Sequence, residues 1–179
     1  MKKIIATTLI SCLLTSASAQ TEKGDWMVGG GLRLNTSNNR TEIAFSPNAG
    51  IFVINNLAIG GNISLDYTKS GDTKITSFGI GPFVRYYFTT ANVRPLLQAN
   101  INYLSTKVKI PSNSSTNNGF NFFLGGGAAI FVSDQVSLDL LLGYDHTKYK
   151  DFDGSGGFAL TIGFQVYLLQ RQVNRLRGK

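Results

Sequence analysis

From Asp25 onward, large apolar residues recur at every second position, and the intervening positions carry small or polar side chains. The final segment, Gly157 to Leu168, shows this most clearly. Phe158, Leu160, Ile162, Phe164, Val166 and Leu168 fall on one side, and Gly157, Ala159, Thr161, Gly163, Gln165 and Tyr167 on the other. A period of two is the signature of a β-strand, whose successive side chains point to opposite faces. A bulky apolar face along a whole strand calls for an oily environment, and a slim face suits a narrow interior.

The same pattern recurs over about Asp25–Asn35, Thr41–Ile54, Leu57–Thr68, Lys74–Phe88, Arg94–Lys107, Phe120–Phe131 and Val136–His146, which with Gly157–Leu168 makes eight strands. Pro47 lacks a backbone donor, so a bulge or local break is expected in the second strand. Asn55 and Asn56 predict a tight turn, because Asn tolerates positive φ. The connections after strands 1, 3, 5 and 7 read as mostly longer and more polar, the longest being Lys109 to Gly119, rich in Ser, Asn and Thr. An even number of strands closes an up-and-down meander with both termini at one end. The expected fold is therefore all-β, an eight-stranded antiparallel up-and-down transmembrane β-barrel with lipid outside and a filled lumen inside.

A soluble eight-stranded carrier is the competing architecture. Its water-facing side would be rich in Lys, Glu and Thr, whereas the slim face here is mostly Gly, Ala, Ser and Asn. The bulky face also carries aromatics near the strand ends: Trp26, Tyr86 and Phe88 at one, and Phe45, Tyr67, Tyr103, Phe120, Tyr144 and Phe158 at the other. Two such belts fit the two interfaces of a bilayer.

The N-terminus fits export. Lys2 and Lys3 precede an apolar run from Ile4 to about Leu14, followed by Ala17, Ser18 and Ala19, so residues 1–19 read as a signal peptide. A lipobox at Leu9 to Cys12 is the weaker alternative, because apolar Leu13 and Leu14 would follow the modified cysteine. Residues 20–168 then form the barrel and residues 169–179 a basic tail. Cys12 is the only cysteine, so the mature chain is expected to hold neither a disulfide nor a Cys-ligated metal. The net charge is +7, and +5 once Lys2 and Lys3 are removed. Export separates that charge from nucleic acid.

Inward charges are the first functional candidates: Arg33, Glu42, Asp66, Arg85, Asp139 and Asp145. Arg33 and Glu42 are expected to face each other across the first hairpin, and Arg85 and Asp139 to lie at similar depth. Charges in a narrow lumen must be paired. They predict either a structural plug of ion pairs or a gate that passes small ions. The second candidate is a rim of Lys69, Lys74, Lys107, Lys109, Lys148 and Lys150, read either as contacts for lipopolysaccharide phosphates or as solvated loop lysines. Catalysis would need a nucleophile beside a base. His146, the only histidine, lies with Tyr144 on the lipid side by alternation and has no nearby Ser. No cofactor, metal cluster or nucleotide fingerprint is expected.

The chain resembles the small outer-membrane barrels of Gram-negative bacteria, the OmpA/OmpX-like transmembrane domain and the porin-like outer membrane protein β-barrel domain family. Thr161, Gly163, Val166 and Leu168 match the signal by which that family is recognised by the barrel assembly machinery, although the family often ends on an aromatic and this chain runs on to Lys179. The resemblance implies a monomer in the outer membrane, with periplasmic termini and extracellular longer loops. It also implies outer-membrane lipids and lipopolysaccharide as neighbours and a structural or surface-contact role. Small-solute passage and lipid A modification are the alternatives it leaves.

Overall fold

The computed structural model describes residues 21–37, 40–111, 113–150 and 153–170. The expected signal peptide, and the tail beyond Gln170, lie outside the described residues. Eight strands follow in order: β1 (Trp26–Ser37), β2 (Arg40–Ile54), β3 (Leu57–Ser70), β4 (Thr73–Tyr87), β5 (Val93–Ile110), β6 (Asn113–Ser133), β7 (Val136–Tyr149) and β8 (Ser155–Leu168). Each pairs antiparallel with the next, and β8 pairs with β1 to close a barrel.

Alternation sorts the side chains as the pattern requires. Leu138, Leu140, Leu142, Leu160 and Ile162 are exposed on the outer wall, whereas Met27, Phe52, Phe83, Tyr87, Leu141 and Tyr167 are buried inside it. Closure satisfies the backbone groups between strands, and this lets a sheet stand in hydrocarbon. Belts of aromatic pairs mark the outer wall: Tyr86 on Phe88 near the terminal end, and Tyr103 on Phe120 and Tyr144 on Phe158 toward the far end, with centroids 5.1, 5.5 and 5.9 Å apart. Edge-to-face geometry sets a positive ring edge against a negative face.

Several details depart from the sequence expectation. Lys109–Gly119 is not a long loop, because β5 runs to Ile110 and β6 begins at Asn113, with Lys109 opposite Ser114 and Lys107 opposite Thr116. Outside a bilayer a two-stranded ribbon still pairs its backbone groups and needs no apolar face, so polar Ser, Thr and Asn extend the hairpin. Connection length therefore does not separate the two ends: 88–92 at the terminal end is as long as 150–154 at the far end. Pro47 breaks the β2–β3 ladder between Phe45↔Leu65 and Asn48↔Asn62 without changing register, and the shift falls instead between Phe52 and Ile54. The following turn places Asn56 at φ 67°, the left-handed conformation that Asn accepts at low cost.

The β1–β8 seam is the shortest ladder. It joins Trp26–Leu32 to Leu168–Ile162, seven pairs against twelve for β1–β2 and twelve for β7–β8. Beyond it β1 continues along β2 to Ser37, and β8 continues along β7 to Ser155.

Candidate functional site

The lumen divides into two zones. At the terminal end a densely bonded layer crosses the barrel. Arg85 on β4 and Asp139 on β7, both 2% exposed, meet at 2.5 Å through Nη1 and Oδ2. Arg85 Nε and Nη2 donate to Gln98 Oε1 at 2.8 and 2.5 Å, and Nη1 also donates to the Tyr87 hydroxyl at 3.1 Å. Ser137 Oγ donates to the other oxygen of Asp139 at 2.7 Å. Both carboxylate oxygens and three guanidinium nitrogens are thus engaged, as buried charge requires.

Aromatic rings stack beneath this layer. Phe52 lies 6.0 Å from Tyr87 and 6.3 Å from Tyr167, and Phe131 lies 4.9 Å from Tyr167. The Arg94 guanidinium sits 3.9 Å above the Phe131 ring, a cation–π contact strengthened by desolvation. Arg94 also donates to the Ala91 carbonyl at 2.9 Å and to Thr21 Oγ1 at 3.2 Å. Thr21 in turn donates to Asn56 Oδ1 at 2.6 Å, so the segment before β1 is tied across this end. Asp25 accepts from the Gln170 amide at 2.9 Å, joining the segment before β1 to the one after β8.

The far half holds a polar cavity of ≈ 490 Å³. Its lining carries Arg33 and Arg85 against Glu42, Asp66, Asp139 and Asp145. Asn48, Asn62, Asn102 and Asn121 lie along one register row, with Asn48 opposite Asn62, Asn62 opposite Gly81, and Asn102 opposite Asn121. Asn121 Nδ2 donates to Asp145 Oδ1 at 2.8 Å and to Thr147 Oγ1 at 3.1 Å. On the wall, Phe83 lies over Gly60: a Cβ at Gly60 would come within 2.7 Å of Phe83 Cε1 and 2.1 Å of the Ala49 carbonyl oxygen. Ring and missing side chain are a matched pair.

The sequence candidates fall as follows. Arg85 and Asp139 meet directly. Arg33 and Glu42 do not oppose each other: Arg33 pairs with Ala44 and Glu42 with Asn35, so their side chains sit diagonally on the inner face. The register of the β1–β2 hairpin decides this offset, and a strand's own alternation does not reveal it. Asp66 and Asp145 line the cavity within electrostatic reach of Arg33. Lys69, Lys74 and Lys109 are consecutive register partners across β3, β4 and β5 and all exposed, with Lys107 beside Thr76; Lys148 and Lys150 are exposed on and just after β7. Thr161 and Gly163 face the lumen, while Val166 and Leu168 lie opposite Val28 and Trp26 at the seam. The His146 ring stacks on Tyr144 with centroids 6.3 Å apart. Residues not singled out from sequence include Phe52, Tyr87, Tyr167, Arg94 and the asparagine row. A usable signal was present, since Phe52, Phe83, Tyr87, Phe123 and Tyr167 are large residues on an otherwise slim face.

Residues 5–166 match the sequence profile described as "Outer membrane protein beta-barrel domain". The chain belongs to that family. Solved β-barrels share its fold. Neisserial surface protein A (NspA) aligns with a TM-score of 0.56 at 22% identity, covering 79% of this chain and 94% of that one. The N-terminal β-barrel domain of Pseudomonas aeruginosa OprF aligns at 0.57 and 12% identity, covering 82% and 98%. OprG from the same organism aligns at 0.52 and 12% identity, covering 84% and 99%. No curated protein matches the sequence. Family membership places this β-barrel domain in the outer membrane.

Proposed function

We propose that the chain is a non-enzymatic, monomeric outer-membrane barrel with a plugged lumen, serving as structural support of the membrane or as a surface for contact through its far-end hairpins. The reading puts the termini in the periplasm and the far end outside the cell. The layer around Arg85–Asp139 carries it. Its charges, amide and hydroxyls satisfy one another, and the aromatics beneath leave the guanidinium of Arg94 packed on a ring. Ions crossing that layer would have to separate a buried pair and leave its charges uncompensated.

Two contacts belong to the same reading. Lys69, Lys74 and Lys109 stand side by side on the outer wall, where like charges directly opposite one another are unfavourable. Phosphates of lipopolysaccharide would offset that repulsion, with Lys107, Lys148 and Lys150 as further contacts. Thr161, Gly163, Val166 and Leu168 would present the closing strand to the barrel assembly machinery. Against lipid A modification, His146 stacks on the outer wall and is absent from the cavity lining.

Gated ion passage is the second reading, favoured by the polar cavity in the far half. Single-channel recording in planar bilayers separates the two. A silent wild-type protein, with conductance appearing only when Asp139→Ala and Arg85→Ala open the layer, supports the plug. Discrete wild-type openings would replace it with the gate.

A further inference from the structure

Among the described buried polar atoms of the cavity lining that lack a partner, one is a donor, Arg33 Nε, and the others are amide oxygens, Gln165 Oε1 and those of three asparagines. Asn48 Oδ1, Asn62 Oδ1 and Asn102 Oδ1 find no hydrogen-bond partner among the described residues, though each is shielded by its surroundings. Asn102 is 2% exposed and lines the cavity. A buried acceptor without a donor is costly, so three on one row mark a place that calls for donors from outside the protein.

Charge points the same way. Two arginines face four carboxylates in the lining, and Arg85 is already committed to Asp139. Arg33 therefore faces Glu42, Asp66 and Asp145, three carboxyl groups to one guanidinium. Asp145 is held in place by Asn121, which links the acidic positions to the asparagine row. The carboxylates do not converge on one point: among the described residues no group of three or more His, Cys, Asp or Glu is placed to hold a metal ion. Dispersed anionic groups above a row of amide acceptors fit an extended solute with several N–H donors better than a compact ion. The volume, ≈ 490 Å³, lies within the roughly 300–1,000 Å³ of small-molecule sites.

We propose that the far half of the lumen is a blind binding well for a linear aliphatic polyamine, its ammonium groups shared between Asp66, Asp145 and Glu42 and the oxygens of Asn48, Asn62 and Asn102. This goes beyond the structural role, and the closed Arg85–Asp139 layer is the floor that makes the well blind.

The test is calorimetric titration of spermidine into the full-length barrel, refolded in zwitterionic detergent at low salt, with heat-modifiability on gels confirming that each variant is folded. Wild type should show a single saturable site. Asp66→Asn with Asp145→Asn should weaken it by about tenfold or more, and Asn102→Leu should weaken it while leaving net charge unchanged. Asp72→Asn, in the exposed β3–β4 turn, should not. The proposal is overturned by an absence of saturable heat in wild type, by binding that survives in the folded double variant, or by magnesium chloride competing at equal concentration, which would make the site a general cation sink.

Discussion

The hydroxyls of Tyr87 and Tyr167 meet at 2.8 Å although the two residues are 80 positions apart in the chain. One stands on β4 and the other on β8, on opposite walls, so this contact bridges the lumen rather than following a ladder. Tyr167 also shares its hydroxyl with Ser137 Oγ at 3.2 Å. Tyr167→Phe keeps the ring but strips both contacts, and should lower stability by about 1–3 kcal/mol because Tyr87 and Ser137 lose a buried partner. Urea unfolding in lipid vesicles would read the loss; an unchanged midpoint would mean the hydroxyl pair is dispensable.

Asp139 and Arg85 form a buried ion pair in the barrel interior. Asp139→Ala leaves the guanidinium buried against Gln98 and Tyr87 without its counter-charge, and should cost about 3–5 kcal/mol. Removing both partners should cost less than the two single losses added, a shortfall that a double-mutant cycle measures directly.

Two neighbouring glycines should differ in their tolerance of one added methyl. A Cβ at Gly60 would lie 2.1 Å from the Ala49 carbonyl oxygen, and one at Gly61 would find its nearest neighbour, the Gly81 carbonyl oxygen, at 3.8 Å. Gly60→Ala should reduce the folded fraction on heat-modifiability gels, while Gly61→Ala should fold like wild type. Equal behaviour would show that Phe83 and the Ala49 backbone yield easily.

Hydrogen exchange should find the seam. Amides of residues 33–37 and 155–161 that point away from β2 and β7 lie past the last β1–β8 pair, Leu32↔Ile162. They should exchange faster than amides in Trp26–Leu32 and Ile162–Leu168, which are paired on both sides. Uniform protection along both strands would mean the ladder extends further.

Alternation in Gly157–Leu168 and its counterparts was enough to assign inner and outer faces, because a strand's side-chain period does not depend on its neighbours. The same local logic located the turn at Asn55–Asn56. It did not place Arg33 relative to Glu42, nor show that β5 and β6 run on through Lys109–Gly119, because both follow from cross-strand register. Polar residues in a hairpin standing in water carry no alternation to read. Tyr87, Tyr167 and Arg94 were missed for a different reason: their partners come from distant walls, and only the closed cylinder brings them together.

The short β1–β8 ladder has a mechanical consequence. Like a sleeve stitched only near one cuff, the barrel keeps a fixed girth where its seven rungs and the Arg85–Asp139 layer lie, yet its opposite rim is free to widen without breaking a rung. Lateral pressure from the surrounding lipid would bear on that rim first, so squeezing or thinning the bilayer should reshape the mouth of the well while leaving its floor unmoved.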